Sequence, residues 1–399
     1  MSDEFIPFHR PSIGEAEIEE VAGVLRAGWL TTGPKTAQFQ QEFRAYVAAR
    51  HTLAVNSCTA GLHLALAALQ IGPGDEVITT PLTFCATVNC ILHVGATPVL
   101  ADVAADGNLD PASVSRRITP RTRAILPVHI GGLPCDMASI WKLARDHSLY
   151  VIEDAAHAVG AWYGNAPIGA SVGDSGASDA VVFSFYATKN LTTGEGGMIA
   201  TGSEELSDRM RILCLHGISK DAWNRYTESG NWFYDVTAAG FKYNLSDIQS
   251  AIGIHQLRRQ EDFLARRSRL AALYDEQLSD VAEIECPPRR KDSRHSWHLY
   301  ASRLNLAELN INRADFIQRL RELRIGTSVH FIPILLHRAY AGIHGVQAAR
   351  CPMAMELYPR LVSLPIYPAL TEEQVRRICA AIKQVVAGAK RRAQFAMGA

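Results

Sequence analysis

The 399 residues of the chain are 48% hydrophobic and 20% charged, a composition that is ordinary for a globular protein with a large core. Lys and Arg together number 40, as do Asp and Glu, so the formal net charge is zero. A balanced charge argues against a broad surface for nucleic acid or for an anionic membrane, and we expect neither as a partner.

Targeting, disulfide and metal-binding patterns are absent from the sequence. The first twenty residues lack the basic and apolar stretches of a signal peptide, and no run of about 18 apolar residues predicts a membrane span. The eight cysteines form no Cys-x-x-Cys pair, and the fourteen histidines show no His-Glu-x-x-His spacing. We therefore expect a cytoplasmic protein with reduced thiols and no metal site.

Strand-like and helical patterns alternate through the first 200 residues. Apolar runs typical of buried strands lie at 76–80, 98–103, 124–129, 150–152, 180–185 and 198–200. Helical patterns lie between several of them, for example at 60–70 and 137–146. This alternation predicts an α/β fold, with a mostly parallel sheet and helices on both faces. Ligands of such sheets bind beyond the carboxyl ends of the strands, so residues that follow strands are the candidates for a site.

The character of the chain changes near residue 255. A long, charged helical pattern with one apolar side covers 256–278, and a strand-like run at 298–304 and a helix at 313–323 follow it. We predict a large domain over residues 1–255 and a smaller α+β domain over residues 256–399.

The segment 56–62 combines hydroxyl-bearing and small residues just before a helical pattern. Ser57 and Thr59 are residue types that favour helix N-caps, and a helix N-terminus with free N–H groups binds anions. A capped helix without any ligand explains the same pattern, and this segment alone favours that interpretation.

Asp154 ends the apolar run that begins at residue 150, which places its carboxylate at the carboxyl edge of the predicted sheet. A carboxylate there can hold a ring nitrogen protonated. It can equally cap a turn, bind a metal ion or accept a proton, and the segment alone does not choose between these roles.

Lys189 follows the predicted strand 180–185 and is flanked by small and hydroxyl-bearing residues, with a glycine-rich turn at 194–197. Lysine is rarely buried without a role, and a lysine that forms a Schiff base needs the lower pKa that partial burial supplies. The alternative is a lysine whose amine extends to the rim of the fold.

Together these segments meet the requirements of pyridoxal phosphate (PLP). This cofactor needs a lysine for its aldehyde, an acid for its pyridine nitrogen, an anion site for its phosphate and a flat apolar cover for its ring. Lys189, Asp154 and the turn at 57–60 meet the first three requirements, and Phe84 offers the aromatic cover.

At this point the sequence resembles the DegT/StrS-type sugar aminotransferases, which have the aspartate-aminotransferase fold of PLP enzymes. The resemblance covers nearly the whole chain. Its motifs are 28–34 (GWLTTGP), 57–60 (SCTA), 74–78 (GDEVI), 153–157 (EDAAH), 183–185 (FSF), 189–190 (KN), 195–197 (EGG) and 240–247 (GFKYNLSD). The segment 326–331 is similar to the branch of the family that aminates UDP-4-keto-pentose on the way to 4-amino-4-deoxy-L-arabinose.

The resemblance implies a catalytic role for three residues. Lys189 matches the Schiff-base lysine, Asp154 matches the acid that pairs with the pyridine nitrogen, and His157 matches a position beside the phenolic oxygen of the ring. A subgroup of the family that has histidine in place of the lysine removes a sugar hydroxyl, and Lys189 argues against that outcome here.

The resemblance also implies contacts to the cofactor and the sugar. Thr59, Ala60 and Ser184 match contacts to the phosphate, and Phe84 matches the aromatic cover of the ring. Asn244 matches a phosphate contact that comes from the partner subunit, so the resemblance implies a homodimer with shared active sites. Trp29, Tyr186 and His330 match positions that line the sugar pocket. Many members have histidine where this chain has Tyr186, and this departure bears on the choice of sugar.

The resemblance implies amino transfer from glutamate to C4 of a nucleotide-linked 4-keto sugar, such as UDP-4-keto-pentose, for lipopolysaccharide or another cell-surface glycan. The same chemistry on a UDP- or dTDP-4-keto-6-deoxyhexose is an alternative. A PLP enzyme that acts on amino acids is another, with an α-carboxylate held by Arg313, Arg321 or Arg324. A non-catalytic binding protein with this fold is a third, and Lys189 argues against it.

Overall fold

The computed structural model describes residues 4–170, 177–218, 234–343, 346 and 351–390. The strands in chain order are β1 (His51–Val55), β2 (Glu76–Thr79), β3 (Thr97–Leu100), β4 (Thr122–Leu126), β5 (Tyr150–Asp154), β6 (Trp162–Tyr163), β7 (Ala166–Pro167), β8 (Ala180–Ser184), β9 (Gly197–Thr201), β10 (Ile284–Glu285), β11 (Ser293–Arg294), β12 (Tyr300–Leu304) and β13 (Leu361–Leu364). The α-helices are α1 (Glu15–Ala27), α2 (Pro34–Tyr46), α3 (Cys58–Ala68), α4 (Cys85–His93), α5 (Pro111–Ser115), α6 (Met137–His147), α7 (Glu204–Cys214), α8 (Asp247–Arg258), α9 (Gln260–Leu278), α10 (Arg313–Glu322), α11 (Pro352–Leu357) and α12 (Glu372–Ala387).

A seven-stranded sheet with the order β1-β9-β8-β5-β4-β2-β3 forms the centre of the fold. Strands β3, β2, β4, β5 and β8 pair in parallel, whereas β9 is antiparallel to both β8 and β1. The predicted α/β fold with a mostly parallel sheet is therefore confirmed. Because β9 is reversed, its amino end lies at the edge where β1, β5 and β8 have their carboxyl ends.

The large sheet is buried on both faces, which explains why its strands are nearly continuous apolar runs. Val182 in β8 joins one hydrophobic cluster, whereas its neighbours Val181 and Phe183 join the cluster on the opposite face. Helix α3 lies against β8 so closely that a Cβ on Gly61 would be 2.5 Å from Val182 Cγ1. This contact fixes the start of α3 at the carboxyl edge of the sheet.

The long helical pattern at 256–278 corresponds to parts of two helices. Helix α8 begins at Asp247, where Ser246 and Gln249 form a capping box, and it ends at Arg258. Arg259 leaves the helical conformation at φ −98° and ψ 1°, and α9 then begins at Gln260. The prediction of one uninterrupted helix from residue 256 was wrong, because the apolar periodicity continues across a one-residue break.

The C-terminal region is built on a second sheet with the order β10-β12-β13, against which α9, α10 and α12 pack. Its hydrophobic core also contains Ile6, which is 1% exposed, so the N-terminal segment packs with this region. The domain division at residues 255 and 256 stays a prediction. None of the helices in the described ranges has the length and apolar composition needed to cross a bilayer.

Candidate active site

A pocket of about 510 Å³ opens at the carboxyl edge of the large sheet. Eight of the eleven predicted site residues line it: Thr59, Phe84, Asp154, His157, Ser184, Tyr186, Lys189 and His330. They come from five separate parts of the chain, and most of them are brought together because they follow strands or start helices at one edge of the sheet. Within the described ranges, no group of three or more His, Cys, Asp or Glu side chains is arranged to hold a metal ion.

Lys189 lies in a short turn that follows β8. Its backbone N–H donates to the carbonyl of Tyr186 at 2.9 Å, and its side chain is half-buried in the pocket wall. Burial lowers the pKa of the Lys189 amine to about 8, although the carboxylate of Asp154 acts in the opposite direction. Much more of the amine is therefore uncharged near neutral pH than in an ordinary lysine, and the uncharged form is the one that acts as a nucleophile or a base.

Asp154, the last residue of β5, is 5% exposed and lines the pocket. Its Oδ2 accepts a hydrogen bond from Thr87 Oγ1 at 2.8 Å, and its Oδ1 accepts one from the Ala156 N–H at 3.1 Å. Burial raises the pKa of the carboxyl group, while these two hydrogen bonds and the Lys189 amine favour the charged form. A buried carboxylate held in this way is suited to pair with a protonated ring nitrogen.

His157 is buried beside the pocket, and its hydrogen bonds fix its tautomer. Nδ1 accepts from the backbone N–H of Gly131 at 3.2 Å, so the proton of the neutral ring is on Nε2. Burial lowers the pKa of His157 well below its usual value, and the charge of Lys189 adds to this effect. His157 therefore presents a neutral imidazole, whose ring stacks on Phe331 at a centroid distance of 5.7 Å.

The start of helix α3 lines one end of the pocket. The Ser57 hydroxyl caps the helix by accepting from the Ala60 N–H at 3.0 Å, and the first-turn N–H groups have no partner within a helix. Gly197, at the amino end of β9, lies against this turn: a Cβ there would be 2.8 Å from the Cys58 nitrogen. Ser184 is on the neighbouring strand β8, paired with Gly197. Only glycine leaves room for this close approach.

Aromatic side chains form the rim of the pocket. Phe84 is 60% exposed and Tyr186 is 47% exposed, and both line the opening. The ring of Phe84 is 6.1 Å from that of Phe331. His330 lines the same side and has its Nδ1 2.9 Å from Ser363 Oγ. Burial and the nearby Lys189 lower the pKa of His330 to about 4, so its ring is neutral near pH 7.

Three predicted residues do not line this pocket. Ala60 uses its N–H for the Ser57 cap, and Trp29 donates from Nε1 to the Thr32 carbonyl at 3.1 Å. Asn244 donates to Thr32 Oγ1 at 2.7 Å. The role predicted for Asn244 is a contact in the partner subunit, which requires a position outside the pocket of its own chain. The contacts predicted for these three residues stay predictions.

Thr87 and His298 are polar pocket residues that were not predicted from the sequence. Thr87 holds Asp154, and it lies one helical turn after Thr83, whose hydroxyl is 2.8 Å from its own; this Thr-x-x-x-Thr spacing was the available signal. His298 is 7% exposed, and its Nδ1 is 3.3 Å from Oδ1 of Asn190, the residue after Lys189. No local pattern connects His298 to a partner so distant in the sequence.

Comparison with known proteins identifies the family. A model of the DegT/DnrJ/EryC1/StrS aminotransferase family matches residues 11–383. The chain belongs to this family. It is 48% identical over 387 residues to the spore coat polysaccharide biosynthesis protein SpsC of Bacillus subtilis, covering 96% of this chain and 98% of that protein.

Solved structures of sugar aminotransferases share the fold of this chain. The PMP form of the putative sugar aminotransferase Spr1654 of Streptococcus pneumoniae is 34% identical, with a TM-score of 0.89 over 96% of this chain and 99% of that one. PseC of Helicobacter pylori, an aminotransferase of pseudoaminic acid biosynthesis, is 29% identical, with a TM-score of 0.88 over 96% of this chain and 100% of that one. The chain is a PLP-dependent sugar aminotransferase.

The residues of this sugar aminotransferase fit its cofactor. The pocket contains one lysine with a lowered pKa, one buried carboxylate and a helix N-terminus beside a glycine at which a Cβ would clash. These groups match the aldehyde, the pyridine nitrogen and the phosphate, respectively. We propose that Lys189, Asp154 and the turn at 57–60 hold them.

Replacement of Thr87 by valine tests how the acid is held. Valine keeps the volume but removes the hydroxyl that donates to Asp154 Oδ2. We expect a free energy of unfolding lower by about 1–3 kcal/mol, the cost of leaving a buried acceptor without its partner, and a weaker affinity for PLP. Urea unfolding and a PLP titration measure the two effects. Thr83→Val is the control, because its hydroxyl bonds to Thr87 and not to Asp154; equal losses in both variants would contradict a direct role of Thr87.

Proposed function

We propose that this sugar aminotransferase moves an amino group from glutamate to C4 of a nucleotide-linked 4-keto sugar. The observation that carries the proposal is the placement of Lys189 and Asp154 in one open pocket of about 510 Å³ with an aromatic rim. A pocket of this volume lies in the range that holds small-molecule substrates. UDP-4-keto-pentose is the first acceptor to test, and a UDP- or dTDP-4-keto-6-deoxyhexose is the alternative.

A relative supports an assignment of the pathway that uses the product. SpsC of Bacillus subtilis, at 48% identity, is a spore coat polysaccharide biosynthesis protein. This likeness supports a cell-surface polysaccharide as the destination of the amino sugar, in preference to a lipopolysaccharide. The cytoplasmic location of the enzyme stays a prediction.

Lys189 performs the proton transfers in both half-reactions. Bound PLP supplies an aldehyde that takes up the amino group and a ring that delocalises the electrons left by the departing proton. Lys189 would hold the aldehyde of the cofactor. As a free amine, its Nζ would be the base that removes the α-proton of the donor. In the second half-reaction the same Nζ delivers a proton to C4 of the sugar.

The other pocket residues orient and bind. Asp154 keeps the pyridine nitrogen protonated through its charge, because its Oδ1 and Oδ2 are fixed by Ala156 and Thr87. His157 offers its Nε2–H, since Nδ1 is already an acceptor. Tyr186 and His330 line the pocket, which supports their role as sugar contacts.

The alternative of a PLP enzyme specific for amino acids is less well supported. The arginines considered for an α-carboxylate do not line the pocket in the part of the chain that the structure describes. The guanidinium of Arg313 lies over the Tyr358 ring at 4.3 Å, and that of Arg324 lies 5.8 Å from the Phe5 ring.

A homodimer with shared active sites is also part of the proposal. Asn244 lies outside the pocket of its own chain, as a contact from a partner requires. Large apolar side chains are exposed on the surface, including Trp29, Leu30 and Ile332, which are 44–47% exposed. A partner subunit that covers them would bury an apolar surface of the kind that marks interfaces.

An absorbance experiment tests both half-reactions. We expect glutamate to bleach the visible band of the bound cofactor, and one member of a panel of UDP- and dTDP-linked 4-keto sugars to restore it. The panel contains a pentose, a 6-deoxyhexose and an N-acetylated hexose. Bleaching that no sugar reverses would discard the proposed acceptors. A band that glutamate does not change, while another amino acid bleaches it, would discard the donor.

A further inference from the structure

The N-terminal segment 4–14, here called the N-terminal strap, runs from the C-terminal region to helix α8. At one end, Ile6 pairs with the extended segment 324–326. The Ile6 N–H donates to the Arg324 carbonyl at 2.9 Å, and the Gly326 N–H donates to the Ile6 carbonyl at 2.9 Å. At the other end, Gln256 Nε2 donates to the Ser12 carbonyl at 2.8 Å. The strap is therefore held at both ends.

Between these anchors, two consecutive side chains of the strap contact the pocket wall. The ring of Phe8 stacks on His330 at a centroid distance of 5.4 Å and an angle of 26°. His9 Nε2 lies 3.2 Å from the Ala187 carbonyl oxygen. Ala187 belongs to the turn that carries Lys189, so one segment touches both the sugar side of the pocket and the lysine turn.

His9 donates this hydrogen bond as a neutral ring. A carbonyl oxygen only accepts, so the Nε2 of His9 bears the proton. Burial lowers the pKa of His9 to about 4, and the charge of the buried Arg267 adds to this effect. Near neutral pH the ring therefore fixes the Ala187 carbonyl without adding a positive charge beside Lys189.

A hydrogen bond to the turn at residues 186–189, here called the lysine turn, affects the position of Lys189. The turn is closed by the Lys189 N–H, which donates to the Tyr186 carbonyl, and Ala187 lies between these two residues. The carbonyl of Ala187 accepts from the strap, so this bond sets the orientation of the peptide plane between Ala187 and Thr188, one residue ahead of Lys189. A shift of this plane moves the base of a side chain with four rotatable bonds, and misplacement of a catalytic group by about 1 Å costs up to about 100-fold in rate.

We propose that His9 is a positioning residue for Lys189, which it serves through its hydrogen bond to the Ala187 carbonyl. The inference rests on the proposed role of Lys189 in the reaction. His9 is not among the described residues that line the pocket. Its effect passes through the backbone of the turn, and the pairing of Ile6 with residues 324–326 keeps it in place.

Two substitutions separate the hydrogen bond from the packing of the ring. His9→Phe keeps a flat ring beside Tyr367, whose centroid is 6.0 Å from that of His9, but has no donor. His9→Gln supplies an amide N–H near the position of Nε2. We measure kcat and KM for glutamate, the pH midpoint of the absorbance change of the bound cofactor, and the melting temperature of each holoenzyme.

The proposal expects the Phe variant to lose about two- to twelvefold in kcat, the equivalent of one hydrogen bond, with KM unchanged. The pH midpoint shifts, and the Gln variant restores both kcat and midpoint. Wild-type kcat and midpoint in the Phe variant would overturn the proposal. So would equal losses in both variants, since these indicate packing alone. Lys189→Ala separates a failure of the proposed function from a failure of the role of His9. If Lys189→Ala stays active, the proposed function is wrong. If Lys189→Ala is inactive and His9→Phe is normal, only the role of His9 is wrong.

Discussion

Replacement of Lys189 by alanine is expected to abolish amino transfer and to leave the fold intact. Lys189 is the one lysine among the described residues that line the pocket, and its lowered pKa makes it a base near neutral pH. Removal of both a covalent attachment and a general base costs on the order of 10⁴-fold or more in kcat. Turnover with glutamate and a 4-keto sugar measures the loss, and circular dichroism measures the fold.

The control for this variant is Lys142→Ala. Lys142 is exposed on helix α6, where its amine pairs with Asp146 at 2.5 Å. An exposed pair of this kind contributes little, so we expect normal turnover and an unchanged melting temperature. Normal activity in the Lys189 variant would refute the assignment of the catalytic lysine.

Replacement of Asp154 by asparagine is expected to reduce kcat by about 10²- to 10³-fold, the usual cost of losing one preorganised electrostatic contact. The amide keeps the shape of the carboxylate, and its oxygen still accepts from Ala156. It carries no negative charge to keep the pyridine nitrogen protonated. Single-turnover kinetics with glutamate isolates this step from the binding of the sugar.

The same substitution is expected to stabilise the protein without cofactor at pH 7. The raised pKa of Asp154 means that the folded protein binds this proton more tightly than the unfolded chain does. The stabilisation is therefore present at low pH and is lost as the pH rises through the folded-state pKa. Asparagine has no proton to lose, so its free energy of unfolding in urea at pH 7 exceeds that of the wild type.

Asp179→Asn is the matched control. Asp179 precedes β8 at the opposite edge of the sheet, its Oδ2 accepts from the Val151 N–H at 2.8 Å, and burial likewise raises its pKa. We expect this variant to shift stability in the same direction but to keep normal turnover. If both variants lost activity equally, the effect would belong to the sheet and not to the site.

The strands of the large sheet could be predicted from the sequence because burial on both faces makes each of them a compact apolar run. The six predicted runs correspond to β2, β3, β4, β5, β8 and β9, with ends that differ by no more than three residues. Strand β1 was not predicted. It begins with His51 and Thr52, and two polar residues in a five-residue strand hide its apolar pattern.

The positions of Asp154 and Lys189 could be predicted for the same reason. Both residues follow strands, and parallel strands bring their carboxyl ends to one edge. Thr87 and His298 could not be found in this way, because their contacts depend on the packing of α4 and of the C-terminal region against that edge. His9 was also beyond prediction, since its partner Ala187 is 178 residues away in the chain.

The reversed strand β9 decides the order in which the pocket is assembled. Strand β1 reaches the sheet only through β9, since Val55 pairs with Gly197. During synthesis, β1 therefore has no strand to pair with until residue 201 has been made. The start of α3, which follows β1, is not held against the sheet edge before then. A chain that ended between residues 190 and 196 would contain Lys189 and Asp154 but would leave the edges of β1 and β8 unpaired. Such edges pair readily with other chains, so we expect the fragment to aggregate before it can bind PLP.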